Sequence, residues 1–252
     1  MNILTAFRKE MMEQWRTYRF VIVAAILIIW GLLSPVIAKF TPDIFKLVPG
    51  FEQIASIIPT PTVKDAITQY IKNMEQFALI LGVLLTMGCV AQEKDKGTAA
   101  MMLVKPLPRG IFLLAKFLAL LGVFTPSILL AGLGAYYYTF LLFEPLPVLP
   151  WLALNGLLLV YIMVIISMTL LFSTISRSQA LAGGLSLGAI AFLGLIGIVP
   201  RVGDVLPAAL VTWAGLLMTQ NGQTYWTALW VSLAIIVAAL VSAWLIFLKQ
   251  EL

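Results

Sequence analysis

The residues able to do polar work are concentrated between Gln92 and Lys116, in the stretch QEKDKGTAAMMLVKPLPRGIFLLAK. Glu93, Lys94, Asp95 and Lys96 open it, and Arg109 and Lys116 close it. It is the one strongly charged interior segment in a chain that otherwise alternates apolar runs with short breaks. Such residues form ion pairs and hydrogen bonds with another surface more readily than they make or break covalent bonds. The chain has no histidine, which removes the commonest general base and transition-metal ligand, and with them Ser-His-Asp catalysis and Cys/His zinc sites. Its single cysteine, Cys89, lies in an apolar run, so it forms no disulfide within the chain and reads as a small packing residue. The pattern G-x-x-x-x-G-K-[ST] is absent, so nucleotide phosphates have no P-loop here.

The elements that must position the charged segment are membrane helices. With 62% hydrophobic and 11% charged residues and a mean hydropathy of +1.03, the chain is an integral membrane protein, expected as one all-α transmembrane domain over 1–252. Ile3, Phe7, Met11 and Trp15 recur every four residues, and Leu4 and Met12 widen their stripe. This predicts an amphipathic interfacial helix over 2–19, with Arg8, Lys9, Glu10, Glu13 and Arg16 on its remaining faces. Apolar runs predict six spans, at about 20–38, 76–91, 111–142, 151–174, 180–199 and 228–248. Val36-Ile37-Ala38 loosely matches a signal-peptidase site, but the run before it is long enough to span and is read as retained. Residues 39–75, broken by Pro42, Pro49, Pro59 and Pro61, read as an outer loop with interfacial helices. Residues 206–218 are too few to cross and read as a re-entrant or interfacial segment. Lys116, one turn inside the third span, is expected to snorkel to the interface, and Pro126 to kink that span. Ala180, Gly184 and Gly188 place small residues on one face of the fifth span, open both to packing within a subunit and to pairing between subunits.

Six spans put both termini on one side. With that side inside, eleven of the sixteen basic residues and five of the eleven acids fall on it. Both termini are therefore expected in the cytoplasm of a cell inner or plasma membrane protein, and the net charge of +5 needs no nucleic acid to explain it. The centres of the expected spans lack Asp, Glu, Lys and Arg, which argues against a proton relay or intramembrane acid–base catalysis. Tyr136, Tyr137 and Tyr138 read as interface anchors, with a second reading as the lining of a path for a lipid-like compound.

The residues E-K-D-K-G-T at 93–98, followed by Leu103, Pro106, Arg109 and Lys116, resemble the E-x-x-x-G-T…L…P…R…K pattern of ABC type-2 transporter permeases. The likeness extends over essentially the whole chain. In that family two permease subunits pair with two cytoplasmic ATPase subunits, and most characterised members act in export. The resemblance implies that the 2–19 helix is an interfacial connecting helix and that about 97–107 holds a coupling helix facing the ATPase. It implies contact roles for Glu93, Gly97, Thr98, Leu103, Pro106 and Arg109. It also implies a second permease subunit, identical or different, and ATP with magnesium bound by the partner ATPase rather than by this chain. A plainer reading of the loop pairs Glu93 with Arg109, makes Gly97 a helix terminus and Pro106 a breaker. A non-transporting membrane scaffold or assembly factor is the alternative function, separated from the first by substrate-stimulated ATPase activity in proteoliposomes.

Overall fold

Helix length and hydropathy set the architecture. In a computed structural model, which describes residues 3–47, 59–97, 108–219 and 222–250, the described residues hold helices and no strand. In chain order they are α1 (Ile3–Arg16), α2 (Arg19–Lys46), α3 (Val63–Thr86), α4 (Ala91–Asp95), α5 (Arg109–Leu142), α6 (Val148–Ile175), α7 (Gln179–Ile196), α8 (Ala208–Thr219) and α9 (Trp226–Lys249). Six are long and apolar enough to cross a membrane: α2, α3 with its continuation α4, α5, α6, α7 and α9. The twelve residues of α8 reach only about 18 Å, short of a hydrocarbon core of about 30 Å. A turn at Thr17 and Tyr18, with Tyr18 at φ 58°, separates α1 from α2.

Helices α5 and α6 form the centre. The first packs against α1 and α2, the second against α3, α8 and α9. The α2–α5 contact is close because Gly31 has no side chain: a Cβ there would stand 2.6 Å from the carbonyl oxygen of Ala131. Several polar side chains buried between these helices find partners within the protein, as an apolar surrounding favours. The Tyr70 hydroxyl donates to Asn155 Oδ1 at 2.6 Å, and Asn155 Nδ2 donates to the Trp151 carbonyl at 2.9 Å. Asn73 Nδ2 donates to Ser34 Oγ at 2.8 Å, tying α3 to α2.

The expected outer loop over 39–75 is largely helix where it is described. Helix α2 runs on through Pro42 to Lys46, with the Ser34 and Thr41 hydroxyls donating back to the carbonyls of Trp30 and Ile37. Helix α3 begins at Val63 rather than near 76, because Asp65 accepts from both the backbone N–H and the hydroxyl of Thr62, at 2.7 Å each. Ile67 and Ile71 are therefore buried residues of a membrane helix and not of an interfacial one. The helix also carries Lys72 and Glu75 into the second candidate span, on the outer side of the apolar run 76–91. Residues 48–58 lie outside the described set.

Candidate functional site

The functional geometry starts from which face α1 buries. Ala6, Glu10 and Gln14, four residues apart, are buried, whereas Ile3, Leu4, Met12 and Trp15 are exposed. The helix thus turns a narrow polar stripe to the protein and its apolar stripe outward, as an interfacial helix facing lipid would. Phe7 and Met11 straddle Gly122 of α5, where a side chain would collide with Met11.

At this contact Lys116 of α5 is 3% exposed and does not snorkel. Its ammonium lies 3.1 Å from Glu10 Oε2 and 2.7 Å from Glu93 Oε1. A lysine one turn inside an apolar run has two options: reach water, or neutralise its charge against carboxylates. Here the carboxylates come to it. Lys9 lies 2.9 Å from the other oxygen of Glu10, and Glu13 links Lys9 at 3.7 Å to Arg19 at 3.9 Å. The Phe112 ring completes the wall, 4.9 Å from the Lys116 ammonium. Burial works against the ionised form of Glu10, but Lys116 and then Lys9 outweigh it and hold the carboxyl below its ordinary 4.5. Oxygens of Glu10, Glu13 and Glu93 lie within 4.8 Å of one another, a grouping that could hold a cation. The Lys116 ammonium already stands between Glu10 and Glu93, so the cluster is a salt-bridge network of protein charges.

Glu93 reaches this cluster because α3 stops at Thr86 and the chain bends before α4. Ser173 of α6 holds that bend: its hydroxyl accepts from the N–H groups of Val90 and Ala91 at 3.1 Å each and donates to the Met87 carbonyl at 2.8 Å. The Lys94 ammonium donates to the Thr174 carbonyl at 2.5 Å. Gly97, at φ 67°, ends the short helix in the left-handed conformation, its N–H donating to the Lys94 carbonyl at 3.1 Å.

Arg109 does not pair with Glu93. Its guanidinium donates to the carbonyls of Phe247, Leu248 and Gln250 at 2.5, 3.1 and 2.9 Å, capping the C-terminal end of α9. Gln250 in turn donates to the Thr174 carbonyl at 3.1 Å. Both ends of the charged segment are therefore fastened: Glu93 to α1 and α5, Arg109 to α9. Thr98, Leu103 and Pro106, with the rest of the expected coupling helix beyond Gly97, lie outside the described residues. Ala180, Gly184 and Gly188 are exposed, and an added Cβ at either glycine meets nothing within 4 Å. Among the described residues that stripe packs on no helix of its own chain; Gly183, against Met87, makes the internal contact instead.

Glu10 is the member that the sequence alone does not single out, and Lys116, though part of the family-like pattern, carries no contact role there. Glu10 counted among the solvated charges of α1, and Lys116 among the snorkelling ones. The legible signal was the stripe Ala6, Glu10, Gln14 on the face opposite the apolar one, together with a lysine whose place in an apolar run demands a counter-charge. Among the described residues the carboxylates of the cluster are engaged by Lys9, Lys116 and Arg19, and the thiol of Cys89 beside them donates to the Leu85 carbonyl at 3.3 Å, so the cluster is not arranged for covalent chemistry. What it can do is transmit displacement, since three separate parts of the chain share one buried ammonium.

Two comparisons bear on this geometry. A family model described as ABC-2 family transporter protein matches residues 4–252. An uncharacterized transmembrane protein of Bacillus subtilis (strain 168), YxlG, is 25% identical over 252 residues that cover 96% of each chain.

Proposed function

We propose, from the premise that the chain belongs to the ABC-2 family of transporter proteins, that it is a membrane-spanning permease subunit, acting in export and driven by a separate ATPase. The single observation carrying this reading is the Lys116 network, which joins the interfacial helix, the charged segment and the third span on either flank of residues 98–107. A push on that segment moves Glu93 at one end and Arg109 at the other. Through Lys116 it reaches α1 and α5, and through the Arg109 cap it reaches α9. ATP and magnesium belong to the partner ATPase, and both termini face it from the cytoplasm. The exposed Ala180, Gly184 and Gly188 face of α7 supports pairing with a second permease subunit, identical or different.

The test is co-purification with the candidate ATPase subunit. Loss of the complex on deleting 97–107, with the monomer's melting behaviour kept, supports the reading. An intact complex after the deletion removes the coupling role of the segment.

A further inference from the structure

A second polar feature lies within the second candidate span, away from the Lys116 network. Glu75 stands twelve residues beyond Val63 in α3, about 18 Å from that end of the helix and about 17 Å from Thr86, on the wall of a cavity of about 170 Å³. Tyr161, Ile190, Gly194, Pro207 and Ala208 line the same space, drawn from α6, α7 and the start of α8. No salt bridge or hydrogen bond among the described residues involves Glu75. Lys72, one turn away on α3, is exposed and is not paired with it. A carboxylate within a candidate span and without an ion-pair partner is costly, and such groups mark the path of what moves through the membrane.

The start of α8 does not relieve that cost by hydrogen bonding. Two of its first N–H groups are already used, Ala209 donating to the Leu206 carbonyl at 2.9 Å and Leu210 to the Pro207 carbonyl at 3.1 Å. A metal ion is poorly served, because Glu75 and Tyr161 are the only polar side chains on the wall and hard cations take six or more oxygens. The volume falls below the range of drug-sized pockets. It suits one small head group. Tyr161 brings an aromatic ring to the wall, a group that attracts organic cations, and Gly194, exposed on α7, leaves a lateral opening for an apolar tail.

We propose that this cavity binds the monovalent organic ammonium head group of an amphiphile against Glu75, with the tail leaving past Gly194. This rests on the permease reading and names the class of its cargo. The ammonium group has two possible sources, a membrane lipid or a free cationic amphiphile.

The test is native mass spectrometry of the wild-type chain released from dodecyl maltoside micelles and titrated with dodecyltrimethylammonium. Octaethylene glycol monododecyl ether serves as the uncharged chain of equal length, and phosphatidylethanolamine as the lipid arm. The expected result is one saturable adduct with the ammonium amphiphile, absent with the uncharged one and about tenfold or more weaker in Glu75→Gln. Glu75→Asp keeps the adduct. Gly194→Phe, which plugs the opening where an added side chain meets nothing within 4 Å, loses it with the carboxylate intact and guards against a folding defect in Glu75→Gln. A phosphatidylethanolamine adduct with the same dependence on Glu75 identifies the lipid as the source; its absence identifies the free amphiphile. Equal adducts with charged and uncharged amphiphiles, or equal binding by wild type and Glu75→Gln, overturn the site. The readout needs no ATPase: a chain that fails it yet co-purifies with its ATPase loses the site and keeps the permease reading, and the converse result removes that reading alone.

Discussion

Replacing Lys116 by Met keeps the length and apolar stem of the side chain and removes only the ammonium. Two carboxylate oxygens, 2.7 and 3.1 Å from that ammonium, then face each other without it. The Glu10 side chain is 7% exposed, so water does not replace the lost partner. Breaking a buried pair in this way costs about 3–5 kcal/mol. The lower end applies here, about 3 kcal/mol, because Lys9 still touches Glu10 at 2.9 Å and Glu93 retains 17% exposure. Removing the two carboxylates as well, in Lys116→Met with Glu10→Gln and Glu93→Gln, recovers more than half of that loss, since no buried charge is then left without its counterpart. The assay is reversible unfolding in mixed micelles followed by tryptophan fluorescence, with hydrogen exchange to localise the change. The single variant should raise exchange in α1 ahead of the rest of the chain. A single variant within about 0.5 kcal/mol of wild type, or a triple variant no better than the single, would refute the claim that these three charges stabilise one another.

Other perturbations read different parts of the same structure. Because the folded-state pKa of Glu10 is held below 4.5, its contribution to stability is present above that value and is lost as pH falls through the lower, folded one. A pH series of unfolding midpoints should show that loss in wild type and a flatter profile in Lys116→Met. Gly31→Ala sets a Cβ 2.6 Å from the Ala131 carbonyl oxygen and should destabilise by about 1–3 kcal/mol. Gly188→Ala, whose added Cβ meets nothing within 4 Å, should leave the isolated chain within about 0.5 kcal/mol; unfolding midpoints check both. Arg109→Ala leaves the last carbonyls of α9 uncapped and should speed amide exchange in that helix's final turn, with little change in α1.

Much of this was readable before any coordinates. The third to sixth spans needed only hydropathy, because their apolar runs are bounded by polar or proline-containing breaks and nothing inside them competes. The 206–218 segment stands apart for the opposite reason, its length, and holds the twelve-residue helix α8. Helix α3 was read short because Lys64, Asp65, Lys72 and Glu75 dilute the hydropathy of its outer half, while the Thr62–Asp65 start signal is a local pattern that a hydropathy window averages away. Glu75 was missed with it. At the cluster, Glu93 and Lys116 stood out within one charged segment, but Glu10 lies 106 residues from Lys116 and only tertiary packing joins them. The interfacial helix shows why periodicity misled: its apolar stripe was correct, and its narrow polar stripe was the face buried in the protein.

In the proposed permease, force enters through the charged segment and spreads through the Lys116 network. The most direct test is to reconstitute the chain with its partner ATPase in proteoliposomes and compare ATP hydrolysis for wild type, Lys116→Met and the 97–107 deletion. The wild-type chain should change the ATPase rate, the deletion should return it to that of the ATPase alone, and Lys116→Met should bind the ATPase while losing most of the change. A hydrolysis rate that is the same with and without the chain, or with and without residues 97–107, would contradict this coupling.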